Sequence, residues 1–205
     1  MRAMLLPVAA LALAAGAFAS PSASAAEPLE RGGVSLTLGG HNTNTASGRY
    51  ASAGQAVATI GGVAQRRGVA ATFGGHNTNT ASGRFSSAYQ DVTTIGGSAA
   101  GRGARALTFG GGNTNRASGA HSLAEQSVTT TGGSAFGRGA HSYVFGGHNS
   151  NTASGRYATA QQQVLTAGGA AGRGSLDLVS GGHNRNQATA RGAFASQQVV
   201  TIGGR

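Results

Sequence analysis

The chain has no cysteine and no lysine, only five acidic residues, and few aromatic side chains in 205 residues. Without cysteine, the disulfide framework that holds many small secreted domains is excluded. The hydrophobic fraction of 39% is inflated by alanine, and large apolar side chains are sparse. That argues against a broad globular core. The acids Asp91, Glu125 and Asp177 fall at unrelated places in the sequence pattern. Serine and histidine are plentiful, but no nucleophile motif or orienting carboxylate accompanies them. The glycine pairs lack the Gly-Lys-Ser/Thr of a phosphate loop. These absences argue against an enzyme, and the sequence calls for no cofactor or metal.

What is present is repetition. Five copies of a 35- to 36-residue unit start at Val34, Val69, Arg105, His141 and Leu176. They occupy residues 34–68, 69–104, 105–140, 141–175 and 176–205. A fixed period of this size indicates stacking, because one unit cannot bury its own apolar face. Ahead of the repeats, Arg2, an apolar stretch from Met4 to Phe18 and Ala23-Ser24-Ala25-Ala26 have the layout of a secretory leader over 1–26. Residues 27–33 form a short lead-in. The apolar stretch is too short to span a bilayer and no later segment is apolar enough to do so, so the expectation is an exported, extracellular or cell-surface protein without a membrane span.

Gly-, Ser-, Thr- and Asn-rich chains are often disordered. Position-specific identity argues for order here. From the first glycine of each opening motif (Gly39, Gly74, Gly110, Gly146, Gly181), asparagine recurs three residues on, as Asn42, Asn77, Asn113, Asn149 and Asn184. It recurs five residues on, as Asn44, Asn79, Asn115, Asn151 and Asn186. Gln55, Gln90, Gln126, Gln162 and Gln197 share one later position, followed at alternate positions by a fixed Val and a fixed Thr. Fixed residues at every second position place each set on one face of a strand. The period is two, not 3.6, so helix is excluded. The reading is an all-β solenoid, or stack of β-arches, with Asn and Gln facing inward as amide ladders. Continuing the first set backwards puts Leu36, Leu38, Ala71, Phe73, Leu107, Phe109, Tyr143 and Phe145 on the same inner face.

The basic residues are all arginine. Two columns recur: Arg49, Arg84, Arg156 and Arg191, and separately Arg67, Arg102, Arg138 and Arg173. Like charges one coil apart would repel, which favours about two coils per repeat. A regular guanidinium column is suited to a repeating extracellular polyanion, group by group; the plain alternative is a solvated edge that keeps the chain soluble. His41, His76, His148 and His183 also share a position, where the third copy has Gly112. Parity turns them outward. With two coils per repeat they would stand roughly 9–10 Å apart, too far to share a metal ion.

The combination Gly-x-x-Asn-x-Asn-x-Ala, followed by an inward Gln, resembles the curlin repeat of the secreted subunits of curli, the amyloid fibres of bacterial biofilms. The resemblance covers nearly all of residues 34–205. It implies Asn and Gln ladders lining a stacked solenoid, polymerisation with further copies of the chain, and a related nucleator or minor subunit. Curlin units are shorter and place a Gln just before the Gly, where this chain has Leu38, Phe73, Phe109, Phe145 or Ser180. Asn-Thr-Ala-Ser-Gly-Arg-Tyr-Ala-Ser also resembles the head repeats of trimeric autotransporter adhesins, which implies a β-roll head binding a surface or a polyanion. The Thr-x-Thr at Thr43 and Thr45 is similar to ice-binding solenoids, but the third and fifth copies lose it. The expectation is a fibre subunit, with the adhesin head as the competing class. The repeats start soon after the leader and end directly after a strand, so bare terminal coils invite end-to-end pairing.

Overall fold

The computed structural model describes residues 33–65, 67–189 and 191–203. The leader expected over 1–26 and the segment 27–32 lie outside the described residues. Each repeat contributes three strands. The first gives β1 (Ser35–Leu38), β2 (Asn42–Ser47) and β3 (Ser52–Ile60); the second gives β4 (Ala70–Phe73), β5 (His76–Ser82) and β6 (Phe85–Ile95). The third gives β7 (Arg105–Phe109), β8 (Gly112–Ser118) and β9 (His121–Thr131). The fourth gives β10 (His141–Phe145), β11 (His148–Ser154) and β12 (Tyr157–Ala167), and the fifth β13 (Leu176–Ser180), β14 (His183–Thr189) and β15 (Phe194–Ile202).

These strands stack into three parallel five-stranded sheets, ordered β1-β4-β7-β10-β13, β2-β5-β8-β11-β14 and β3-β6-β9-β12-β15. The molecule is a β-solenoid, as the period and the alternation predict. Among the described residues no helix is long and apolar enough to cross a membrane.

The coil count differs from the sequence reading. Asn42 pairs with Asn77, Asn77 with Asn113 and Gln90 with Gln126, so equivalent residues are direct neighbours. One repeat is therefore one coil, not two. Charge repulsion between neighbouring coils is too weak to forbid this stacking. All eight arginines of the two columns are exposed. In water, two unit charges one strand spacing apart repel by only about 1 kcal/mol, less once long side chains splay.

The inner face also needs one correction. Leu36 and Leu38 are 59% and 64% exposed, while Ser35 and Thr37, which alternate with them, are buried. Thr72, Thr108 and Val144 are likewise buried, and Phe73, Leu107, Phe109, Tyr143 and Phe145 lie on the outward side. The Gly-Gly corner between the first and second sheets reverses the phase, so parity cannot be carried across it. Gly111 and Gly147 take φ of 75° and 78° there, a left-handed conformation that glycine adopts without strain.

The core is narrow and built from small residues. Alanines form two buried clusters and Val92, Val128 and Val164 a third. The largest fully buried side chains are Gln90 and Gln162. Two corner glycines per coil are fixed by this packing. A methyl on Gly110 would overlap the Thr130 hydroxyl, and one on Gly96 would overlap Thr72. Threonine from the third sheet thus fills the space beneath one corner, and threonine or, beside Gly168, Val144 from the first sheet fills the other.

Candidate functional site

The first asparagine column and the glutamine column run through all five coils, and the second asparagine column runs from Asn79 to Asn186. Asn42 Nδ2 donates to Asn77 Oδ1 at 2.9 Å, Asn77 to Asn113 at 2.8 Å, Asn113 to Asn149 at 2.8 Å and Asn149 to Asn184 at 2.7 Å. Their Nδ2 groups also reach the corner carbonyls of Gly110, Gly146 and Gly181. This first column therefore holds the corner between the first two sheets.

The second column has another job. Asn79, Asn115 and Asn151 each donate to the next asparagine at 3.0 Å, ending on Asn186. Each also donates to a carbonyl of the third sheet in its own coil: Asn79 to Tyr89 at 2.7 Å, Asn115 to Glu125 at 2.7 Å, Asn151 to Gln161 at 2.7 Å and Asn186 to Ser196 at 2.6 Å. Asn44 donates likewise to the Gly54 carbonyl. These side chains staple the second sheet to the third across the narrow core. Buried amides without such partners would destabilise the fold.

The glutamine column runs in the opposite sense. Gln90 Nε2 donates back to Gln55 Oε1 at 3.2 Å, Gln126 to Gln90 at 2.7 Å, Gln162 to Gln126 at 2.6 Å and Gln197 to Gln162 at 2.7 Å. Asparagine donors point toward the C-terminal coil and glutamine donors toward the N-terminal one. The solenoid therefore has two chemically distinct ends.

The outer surface carries columns of its own. No family model, curated protein or solved structure matches this chain. Arg49, Arg84, Arg156 and Arg191 are exposed where the second sheet turns into the third, with Ala120 interrupting them in the third copy. Next to them stand Tyr50, Phe85, His121 and Tyr157, a column that the sequence reading missed. Their ring centroids are 5.6, 5.2 and 5.1 Å apart and nearly parallel. The signal was an aromatic or imidazole side chain directly after the arginine position, blurred because it varies among Tyr, Phe and His. The Arg49 guanidinium lies 5.9 Å from the Tyr50 ring centroid. Arg67, Arg102, Arg138 and Arg173 are exposed at the turn leading back to the first sheet. The structure thus keeps the two arginine columns on different edges.

The histidines face outward, but much closer together than two coils per repeat would allow. His41 and His76 stack at 4.9 Å, as do His148 and His183. Among the described residues no group of three His, Asp or Glu side chains is placed to hold a metal. A groove of about 670 Å³ runs beside this column, lined by Phe73, Phe109, His76, Thr114 and His148 among others. On the second sheet's outer face Thr43, Thr78 and Thr114 align, but Arg116, Arg185 and Gln187 break the Thr-x-Thr regularity.

Proposed function

We propose that the chain is a secreted structural subunit that polymerises end to end into an extracellular fibre or biofilm matrix. The observation that carries this reading is the state of the terminal coils. Among the described residues, β1, β2 and β3 at one end and β13, β14 and β15 at the other each lack a strand partner on one side. The core is open at the C-terminal coil: Val199 is 43% exposed, whereas Val164 in the same column is 2% exposed; in the first coil Ala53 and Thr59 stay buried. Unpaired strand edges over an open apolar core favour addition of another coil. Continued stacking would give a cross-β fibre with a strand repeat of about 4.7–4.8 Å. The curlin-like Asn and Gln spacing supports the same reading, with further copies of the chain as the principal partner and a related nucleator as a second.

The test is assembly itself. The purified chain without residues 1–26 is expected to form concentration-dependent, unbranched fibres visible by negative stain, with thioflavin binding and a meridional cross-β reflection. A protein that stays monomeric by light scattering for days at high concentration would sink the proposal.

A second reading is favoured by the arginine columns. Guanidinium groups on successive coils, beside a ring stack and with few acids to oppose them, suit a linear polyanion. The chain is expected to bind heparin or DNA with an affinity that falls steeply with salt. Changing Arg49, Arg84 and Arg156 to Gln should weaken that binding at least tenfold without altering the β-sheet circular dichroism spectrum. Binding indifferent to salt and to these changes would remove the polyanion reading and leave the fibre reading untouched.

A further inference from the structure

We propose that the groove beside Gly112 binds one planar aromatic or heteroaromatic ring carrying an anionic substituent. The outer histidine column is interrupted at this groove. Imidazoles stack at 4.9 Å between the first and second coils and again between the fourth and fifth. The third coil breaks this stack with Gly112. His76 and His148 therefore flank the glycine from either side, two strand spacings or roughly 9.6 Å apart in backbone register. One flat ring placed midway would stack on both.

The backbone does not require this glycine. It lies within β8, and its φ is outside the left-handed range. Glycine inside a strand weakens it and often marks close approach by another group. Here the space it opens is lined by side chains suited to a ring. Phe109 stands 6.5 Å from His148, tilted by 38°, and 6.4 Å from Phe73. Thr114, two residues further along β8, also lines the groove and carries a hydroxyl. The His76 ring turns over the glycine, with Cδ2 2.8 Å from where a Cβ would stand, so it swings back toward His41 to admit a guest. Tilted aromatic and stacked imidazole faces hold a planar guest better than an aliphatic one of equal size.

Charge selects the substituent. The lining includes Arg185 and three histidines and no carboxylate. A carboxylate or sulfonate on the guest would meet donors and no like charge. The groove lies on the lateral face of the solenoid, lined by residues of the second to fifth coils, so a guest does not occupy the strand edges where another copy would pair.

Indole-3-carboxylate is the probe, with cyclohexanecarboxylate as the aliphatic control. The full chain is expected to bind one indole-3-carboxylate, shifting the ring proton resonances of His76 and His148. Gly112→His restores the imidazole found in the other four copies and should fold normally, while weakening binding at least tenfold. His148→Ser, which removes one stacking face, provides a second variant and should weaken it similarly. Equal affinity in both variants, equal affinity for the aliphatic acid, or no binding at millimolar concentration would each overturn the site.

Discussion

A Gln126→Leu variant is expected to lose roughly 2–4 kcal/mol of stability, and replacing all five column glutamines with Leu is expected to lose less than that. The glutamine side chain both donates to Gln90 and accepts from Gln162. Substituting it alone strands one acceptor and one donor in a buried position. Each orphaned group costs about 1–3 kcal/mol, partly offset by the apolar burial of Leu. Replacing Gln55, Gln90, Gln126, Gln162 and Gln197 together leaves no amide behind. A continuous Leu column then fills the same volume. Urea unfolding with an unchanged m value measures both. A fivefold variant that loses about five times the single loss would mean that shape, not pairing, fixes glutamine there.

This asymmetry bears on how the sequence encodes the fold. The period, the alternation and the inward amides were legible because each coil must present the same group at the same height. A column tolerates only residues that satisfy their own copies above and below. That constraint repeats Asn and Gln five times over, whereas Leu36, Phe109 and Tyr143 merely share outward space and vary. What the sequence hid was the corner. Offsets on either side of a Gly-Gly pair look like one alternating series, yet the corner reverses the phase in every coil, whether or not its second glycine is left-handed. The outward aromatic residues were therefore read as core. The coil count was hidden for a different reason. Exposed arginines tolerate neighbours one strand away because water screens them, so the charge argument carried too little energy to decide between one coil and two. Three strand segments separated by corner glycines, all within one period, were the better guide.

The same vertical logic makes the proposed polymer directional, and this is its most demanding consequence. At the C-terminal coil, Asn184 and Asn186 have no next asparagine among the described residues to receive their Nδ2 groups, and Gln197 Oε1 has no donor above it. At the N-terminal coil the complementary groups have no partner in their columns among the described residues: Asn42 Oδ1, Asn44 Oδ1 and Gln55 Nε2. The fifth coil of one copy placed on the first coil of the next matches donor to acceptor in all three columns and keeps every sheet parallel. Two fifth coils face to face would oppose donor with donor in both asparagine columns. Growth should therefore be head to tail, in register. Ala56 and Gln198 occupy equivalent outward positions in the first and last coils, where Ala56 pairs with Asp91 and Gln163 with Gln198. Across such a junction their Cα atoms would lie about 4.8 Å apart, within disulfide range. Because the chain has no cysteine, Ala56→Cys and Gln198→Cys introduce the only thiols. Fibres grown from an equal mixture of the two single variants should oxidise to a disulfide-linked pair joining residues 56 and 198, and fibres of either variant alone should not. Fibres of Gln198→Cys alone that cross-link efficiently would refute the polarity while leaving polymerisation intact. Failure of every variant and of the parent chain to form fibres would instead refute polymerisation itself.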